Sequence, residues 1–174
     1  MASAIFSERS LPYVDEVVGL FGSLRKPLLR YLLTFGMSVH DGEEIVQESF
    51  LALFKHVSCG KSGENMQAWM FRVCHNLALK HREKNRGVES LDSNEYAGPV
   101  DLSLNPEEQF LRSQRQDRLQ GVLRALPELD RCCVCLRAEG LRYREIAKVL
   151  SISLGSVSIS LSRSLARFER ADQE

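Results

Sequence analysis

The chain is predicted to be all-α: two small helical domains joined by a flexible, acidic linker, the second a helix-turn-helix four-helix domain. Three observations predict this. Apolar residues recur at helical spacing through most of the chain, with almost no alternating strand pattern. Residues 88–106 interrupt that period with Gly98-Pro99, Asn105-Pro106 and several Ser and Asp residues. A short amphipathic helix, a three-residue turn and a second helix close the chain.

The first half supplies three helices. Leu24, Leu28, Leu29, Leu32, Leu33 and Phe35 form an apolar stripe that Gly36 ends. Asp41, with Glu43 and Glu44 behind it, opens the next helix, because acids favour a first turn. Ile45, Val46, Ser49, Phe50, Leu53 and Val57 share one face of it, and Glu44, Gln47, Glu48 and Leu51 the other. Turn-forming residues at 58–63 break the chain before a helix from about Met66 to Asn85, with Gly87 as its stop. After the linker, Pro106, Glu107 and Glu108 start a helix that runs to Leu126-Pro127. Three more helices follow, near 128–139, 143–150 and 154–169. The domains are therefore expected at 1–87 and 107–174, with the linker at 88–106.

Composition narrows the class. With 44% hydrophobic and 26% charged residues over 174 positions, a disordered chain and a disulfide miniprotein are both excluded. Lys plus Arg equals Asp plus Glu at 23, so only the distribution of charge can point to nucleic acid. The linker is acidic, and both ends are slightly basic. No run suits a membrane span or a signal peptide, so a cytoplasmic protein is expected. Cys132, Cys133 and Cys135 cluster, but the four histidines lie far upstream, so no metal and no cofactor is expected. The same run reads as the buried side of a helix. A thiol oxidoreductase built on Cys132 and Cys135 requires an exposed, activated thiol instead. No nucleophile–base pair or phosphate loop is found, and an enzyme is not expected.

In the last segment, Ile146, Ala147 and Leu150 face inward on a short helix, and Ser153 is a good N-cap for the next. Val157, Leu161, Leu165 and Phe168 then make one stripe, leaving Ser156, Ile159, Ser160, Arg163 and Arg167 outward and Ser158 at the flank. A second helix of this kind fits the DNA major groove. The same spacing also fits an ordinary helical hairpin with a solvated polar face.

Three motifs carry a resemblance. Leu126-Pro127-Glu128, Arg137-Ala138-Glu139-Gly140-Leu141-Arg142-Tyr143-Arg144-Glu145-Ile146-Ala147 and Ile152-Ser153-Leu154-Gly155-Ser156-Val157 are together similar to region 4 of bacterial RNA polymerase sigma factors. The likeness is to the small extracytoplasmic-function group in particular. Asp41-Gly42-Glu43-Glu44-Ile45-Val46-Gln47-Glu48 resembles that family's core-binding segment in region 2, and Ala68-Trp69-Met70-Phe71-Arg72-Val73 the end of that region. The resemblance implies a protein that binds core RNA polymerase, recognises promoter DNA and opens it. It is expected to be a monomer when free, outside the membrane, and to have an anti-sigma factor as a further partner. A stand-alone helix-turn-helix regulator is the alternative, but it has no need of the region 2 motifs.

The resemblance also assigns residues. Asp41, Glu44, Gln47, Glu48 and Leu51 are expected to bind polymerase. Arg72, His75, Asn76, Lys80, Arg82 and Arg86, with Lys61 and Asn65 from the preceding loop, are expected at the −10 element. A basic stripe suits phosphates, and Asn offers both donor and acceptor to a base. Trp69 is expected inward, in the core. Arg144, Ser156, Ser158, Ile159, Ser160, Arg163 and Arg167 are expected at the −35 element. Here the chain departs from the family, which commonly carries cations where this sequence has Ser158 and Ser160, and a small polar residue in place of Ile159.

Overall fold

The computed structural model describes residues 12–60, 65–85 and 106–173. They form seven helices: α1 (Pro12–Thr34), α2 (Val39–Ser58), α3 (Met66–Lys84), α4 (Pro106–Ala125), α5 (Glu128–Ala138), α6 (Tyr143–Leu150) and α7 (Leu154–Gln173). The 88–106 linker lies outside the described residues except for Pro106, which opens α4, and so do Gly87, Lys61 and Arg86.

α1, α2 and α3 make the first lobe. Leu28, Tyr31 and Leu32 of α1 meet Ile45, Val46 and Leu53 of α2 and Met70, Phe71 and Cys74 of α3, all buried. Full burial of such side chains contributes roughly 1.5–3 kcal/mol each. Gly42 lets α1 and α2 approach, since a Cβ there would stand 2.9 Å from Leu29 Cδ1. Gly36, at φ 94°, turns the chain out of α1 as the sequence predicts. α2 begins two residues before its expected start. Ser38 is the N-cap, accepting from the Asp41 backbone N–H at 3.1 Å, and Asp41 lies inside the first turn.

α5, α6 and α7 make the second lobe around Cys133, Leu136, Leu141, Ile146, Val149 and Val157, with α4 laid along α7. Ser151 sits at φ 55° in the turn between α6 and α7, and Ser153 Oγ accepts from the Ser156 N–H at 3.1 Å. That hydrogen bond starts α7 at the predicted cap.

The lobes pack on one another, α5 against α1 and α6 against α3, so one apolar core runs through both. Tyr31 of α1 is buried beside the Cys132 thiol of α5. Polar bonds ring the contact. Arg30 donates to Glu139 through Nε at 3.1 Å and Nη2 at 2.8 Å. Gln67 donates to the Glu139 carbonyl at 2.7 Å.

Candidate nucleic-acid interface

On α2 the periodicity places the face correctly. Ile45, Val46, Ser49, Phe50, Leu53 and Val57 are buried, so Glu44, Gln47 and Glu48 are exposed and Leu51 is 64% exposed. Phe54, almost one turn beyond Leu51, extends this apolar strip and lies outside the predicted set. Asp41 does not belong to the open face. It is half-buried, its carboxylate accepts from Ser38 Oγ at 2.7 Å and lies 3.4 Å from His81 Nε2, so it serves the helix start.

The helical spacing puts Trp69, Met70, Val73 and Leu77 on one inward face, and α3 is rotated by about one residue from that. Met70, Phe71, Cys74, His75 and Ala78 are buried, whereas Val73 and Leu77 are half-buried. The apolar Phe71 and Cys74 set the inward face. His75 is therefore not a nucleic-acid contact. It is 8% exposed, and its Nδ1 is 2.8 Å from the Tyr31 hydroxyl. Burial lowers its pKa and the Arg82 charge lowers it further, which favours the neutral imidazole. Trp69 packs partly buried against the core, as predicted, with its ring 4.6 Å from that of His56.

What remains outward on α3 is a simple line. Arg72, Asn76 and Lys80 are all exposed and stand four residues apart, so they share one face. The other two expected residues are occupied by the second lobe. Arg82 lies over the Phe35 ring at 4.3 Å and donates to Glu128 at 2.7 and 3.2 Å. Asn65 is the N-cap of α3, and its Nδ2 donates to Glu145 of α6 at 2.6 Å.

α7 is also rotated. Its buried face is Val157, Ser160, Leu161 and Ser164, while Leu165 is 56% exposed. Ser160 is thus not a DNA contact. It is 2% exposed and donates to the Asp130 carboxylate at 2.7 Å. Small hydroxyls pack close against α5 when they are satisfied, so the buried stripe need not be apolar. Ser156, Ser158, Arg163 and Arg167 are exposed, as is Arg144 on α6, and Ile159 is 66% exposed. An open groove between α6 and the start of α7 is lined by Arg142, Tyr143, Arg144, Glu145, Leu154, Gly155 and Ser158. Tyr143 and Leu154 are additions to the predicted set.

Asp130 is the residue sequence reasoning missed. It is fully buried and accepts from Arg163 Nε at 2.9 Å and Nη2 at 2.6 Å. Burial pushes its pKa up, but the bonds from Arg163 and Ser160 outweigh this and hold the carboxyl below its ordinary value. The signal was present: an acid three residues before Cys133 falls on the buried side of α5. The α5 thiols are poor nucleophiles, since burial pushes Cys132 to about 12 and Cys135 to about 11. Among the described residues no group of His, Cys, Asp or Glu is arranged to hold a metal, and no single helix is long and apolar enough to cross a membrane.

Comparison with known proteins assigns both lobes. The sigma-70 region 2 family model matches residues 20–88, and the sigma-70 region 4 model residues 116–168. The ECF RNA polymerase sigma factor SigE of Mycolicibacterium smegmatis is 32% identical over 159 residues, covering 90% of this chain. The chain spans only 60% of that relative's length. The ECF RNA polymerase sigma-E factor of Haemophilus influenzae is 26% identical, with 82% of this chain and 80% of that protein covered. Among solved structures, the sigma factor RpoE of Bartonella quintana, in complex with the anti-sigma factor NepR, matches with a TM-score of 0.65. It is 18% identical and covers 92% of this chain and 96% of that one, which shows the shared fold. Two lobes in the family's order, each matched by its own region, show that the chain belongs to the sigma-70 family as a sigma factor of the extracytoplasmic-function type.

Proposed function

We propose that the chain binds core RNA polymerase through the outward face of α2, reads the −10 element with α3 and the loop before it, reads the −35 element with α7, and so directs initiation at a specific set of genes. The observation that carries this reading is the pairing of two surfaces in one lobe. α2 shows solvent an acidic face with an apolar centre, Glu44, Gln47, Glu48 and Leu51, while α3 shows a separate line of Arg72, Asn76 and Lys80. A polar rim around an apolar contact suits a protein partner, and a cationic line with an amide suits phosphate and base. A stand-alone helix-turn-helix regulator needs only α5–α7 and leaves both surfaces unexplained. The protein acts by binding rather than by catalysis, and it works in the cytoplasm.

The domain division at 1–87, 88–106 and 107–174 belongs to this proposal. By their numbering the two promoter elements lie about 25 base pairs apart, roughly 85 Å of duplex at about 3.4 Å per pair. A compact chain of this length is roughly 40 Å across, too short for that distance, so the lobes separate on the promoter. The linker, at most ~65 Å long when extended, permits it. Separation also frees Asn65 and Arg82 from Glu145 and Glu128. An anti-sigma factor is proposed as a further partner, because the RpoE structure that shares this fold holds one.

Reconstitution tests the reading. Core polymerase is expected to capture the chain, and the pair to give discrete run-off transcripts from a promoter library. DNA binding without capture by polymerase, and no transcripts, would support the regulator.

A further inference from the structure

The buried carboxylate on α5 belongs to neither the polymerase face nor the DNA face. Asp130 is fully shielded from solvent, yet all of the hydrogen bonds to its carboxylate come from one helix, α7. Oδ1 accepts from Ser160 Oγ at 2.7 Å and from Arg163 Nη2 at 2.6 Å, and Oδ2 accepts from Arg163 Nε at 2.9 Å. Burying a carboxylate is costly unless it is paired and hydrogen-bonded. This one is fully paired, but its partner is not buried: the Arg163 side chain is 52% exposed. The arginine is held from inside and open from outside.

That asymmetry has a geometric consequence. A guanidinium is a planar fork of five N–H donors. Using Nε and one Nη2 hydrogen against Asp130 fixes the plane and leaves the Nη1 edge pointing away from the carboxylate. We propose that Asp130 is a positioning residue for the −35 contact: it sets Arg163 as a pre-oriented donor on the outward face of α7. Resting on the reading of α7 as the −35 helix, the proposal adds a residue that itself never touches DNA. The long side chain reaches the duplex with its rotamer freedom already spent, which lowers the cost of binding. Ser160 completes the arrangement. Its hydroxyl is short enough to cap Oδ1 beside Arg163, where a longer cation would compete for the same carboxylate.

The test is a double-mutant cycle on the full chain, with a fluorescent duplex selected by the wild type from a randomised pool. Arg163→Ala is expected to weaken binding on the order of tenfold. Asp130→Asn is expected to weaken it by a comparable factor, and to have no further effect in the Arg163→Ala background. Arg163→Lys keeps the charge without the fork and is expected to lose most of the affinity. Thermal melts establish that each variant is folded at the assay temperature, which separates positioning from general destabilisation. If Asp130→Asn does not fold, Ser160→Ala removes one bond to the carboxylate and is expected to show a smaller loss, again absent without Arg163. Binding by Asp130→Asn equal to or tighter than wild type overturns the proposal, because the carboxylate then only screens the cation. Losses that multiply overturn it as well. If Arg163→Ala changes nothing although the wild type binds its duplex, Arg163 does not meet DNA and the positioning role falls, while the rest of the α7 reading stands. If the wild type selects no duplex, the −35 reading itself has failed and the positioning role goes with it.

Discussion

α3 and α7 both turn a polar face to solvent, and the two faces keep their cations differently. On α3, Arg72 and Lys80 stand in the open on either side of Asn76, while Arg82 is drawn to Glu128 of the other lobe. On α7, Arg163 is tied to a carboxylate of its own lobe, and serines and Ile159 fill most of the remaining face. The two surfaces differ less in how many cations they carry than in what those cations are bonded to. α3 is built for charge, and α7 for shape and fixed geometry.

The widest intervention targets the proposed polymerase face on α2. Glu44→Lys with Glu48→Lys is expected to abolish polymerase binding, because reversed charges repel a basic partner at the rim of the contact. The variant should stay folded by circular dichroism, since both positions are exposed. Normal capture by core polymerase would take the α2 face out of the interface.

A finer intervention compares the helices directly. Arg72→Ala with Lys80→Ala is expected to flatten the salt dependence of single-strand −10 binding by about 0.7 for each phosphate left without its cation. Arg167→Ala on α7 is expected to change the −35 slope by no more than about 0.9. Equal slopes for α3 and α7 before mutation would erase the contrast.

Acid separates the lobes by chemistry. The folded pKa of His75 lies below its ordinary 6.5, so the fold favours the neutral ring. Stability is full above about 6.5 and falls as the pH drops from there toward the lowered pKa, because the unfolded chain takes up a proton first. Asp130 is held below its ordinary 3.8, so its contribution is full above that value and is lost at lower pH. Urea melts followed by Trp69, the single tryptophan, should weaken first, below about pH 6.5. His75→Gln should remove that step. A pH profile unchanged by His75→Gln would assign the step elsewhere.

The smallest effect is local to the second lobe. Ser151→Gly relieves a left-handed residue in the turn before α7 and is expected to stabilise the fold by up to about 1 kcal/mol, read by thermal melts. Destabilisation would mean that the serine side chain contributes more than the backbone relief.

Much of this was legible in the sequence. The seven helices, the α2 face, the inward Trp69 and the Ser153 cap follow from apolar spacing and capping chemistry. The faces of α3 and α7 were misplaced by about one residue for a common reason: buried stripes need not be aliphatic. His75 enters the first core because Tyr31 satisfies it, and Ser160 enters the second because Asp130 does. Both partners lie on other helices, so no window along one helix reveals them. The occupation of Asn65 and Arg82 was equally invisible, because Glu145 and Glu128 come from the other lobe.

The most direct measurement is run-off transcription with core polymerase on a promoter selected by the wild type. Arg72→Ala with Lys80→Ala is predicted to bind polymerase normally, to keep its affinity for the −35 duplex, and to lose the transcript. A variant that transcribes as well as wild type would contradict the assignment of α3 to the −10 element.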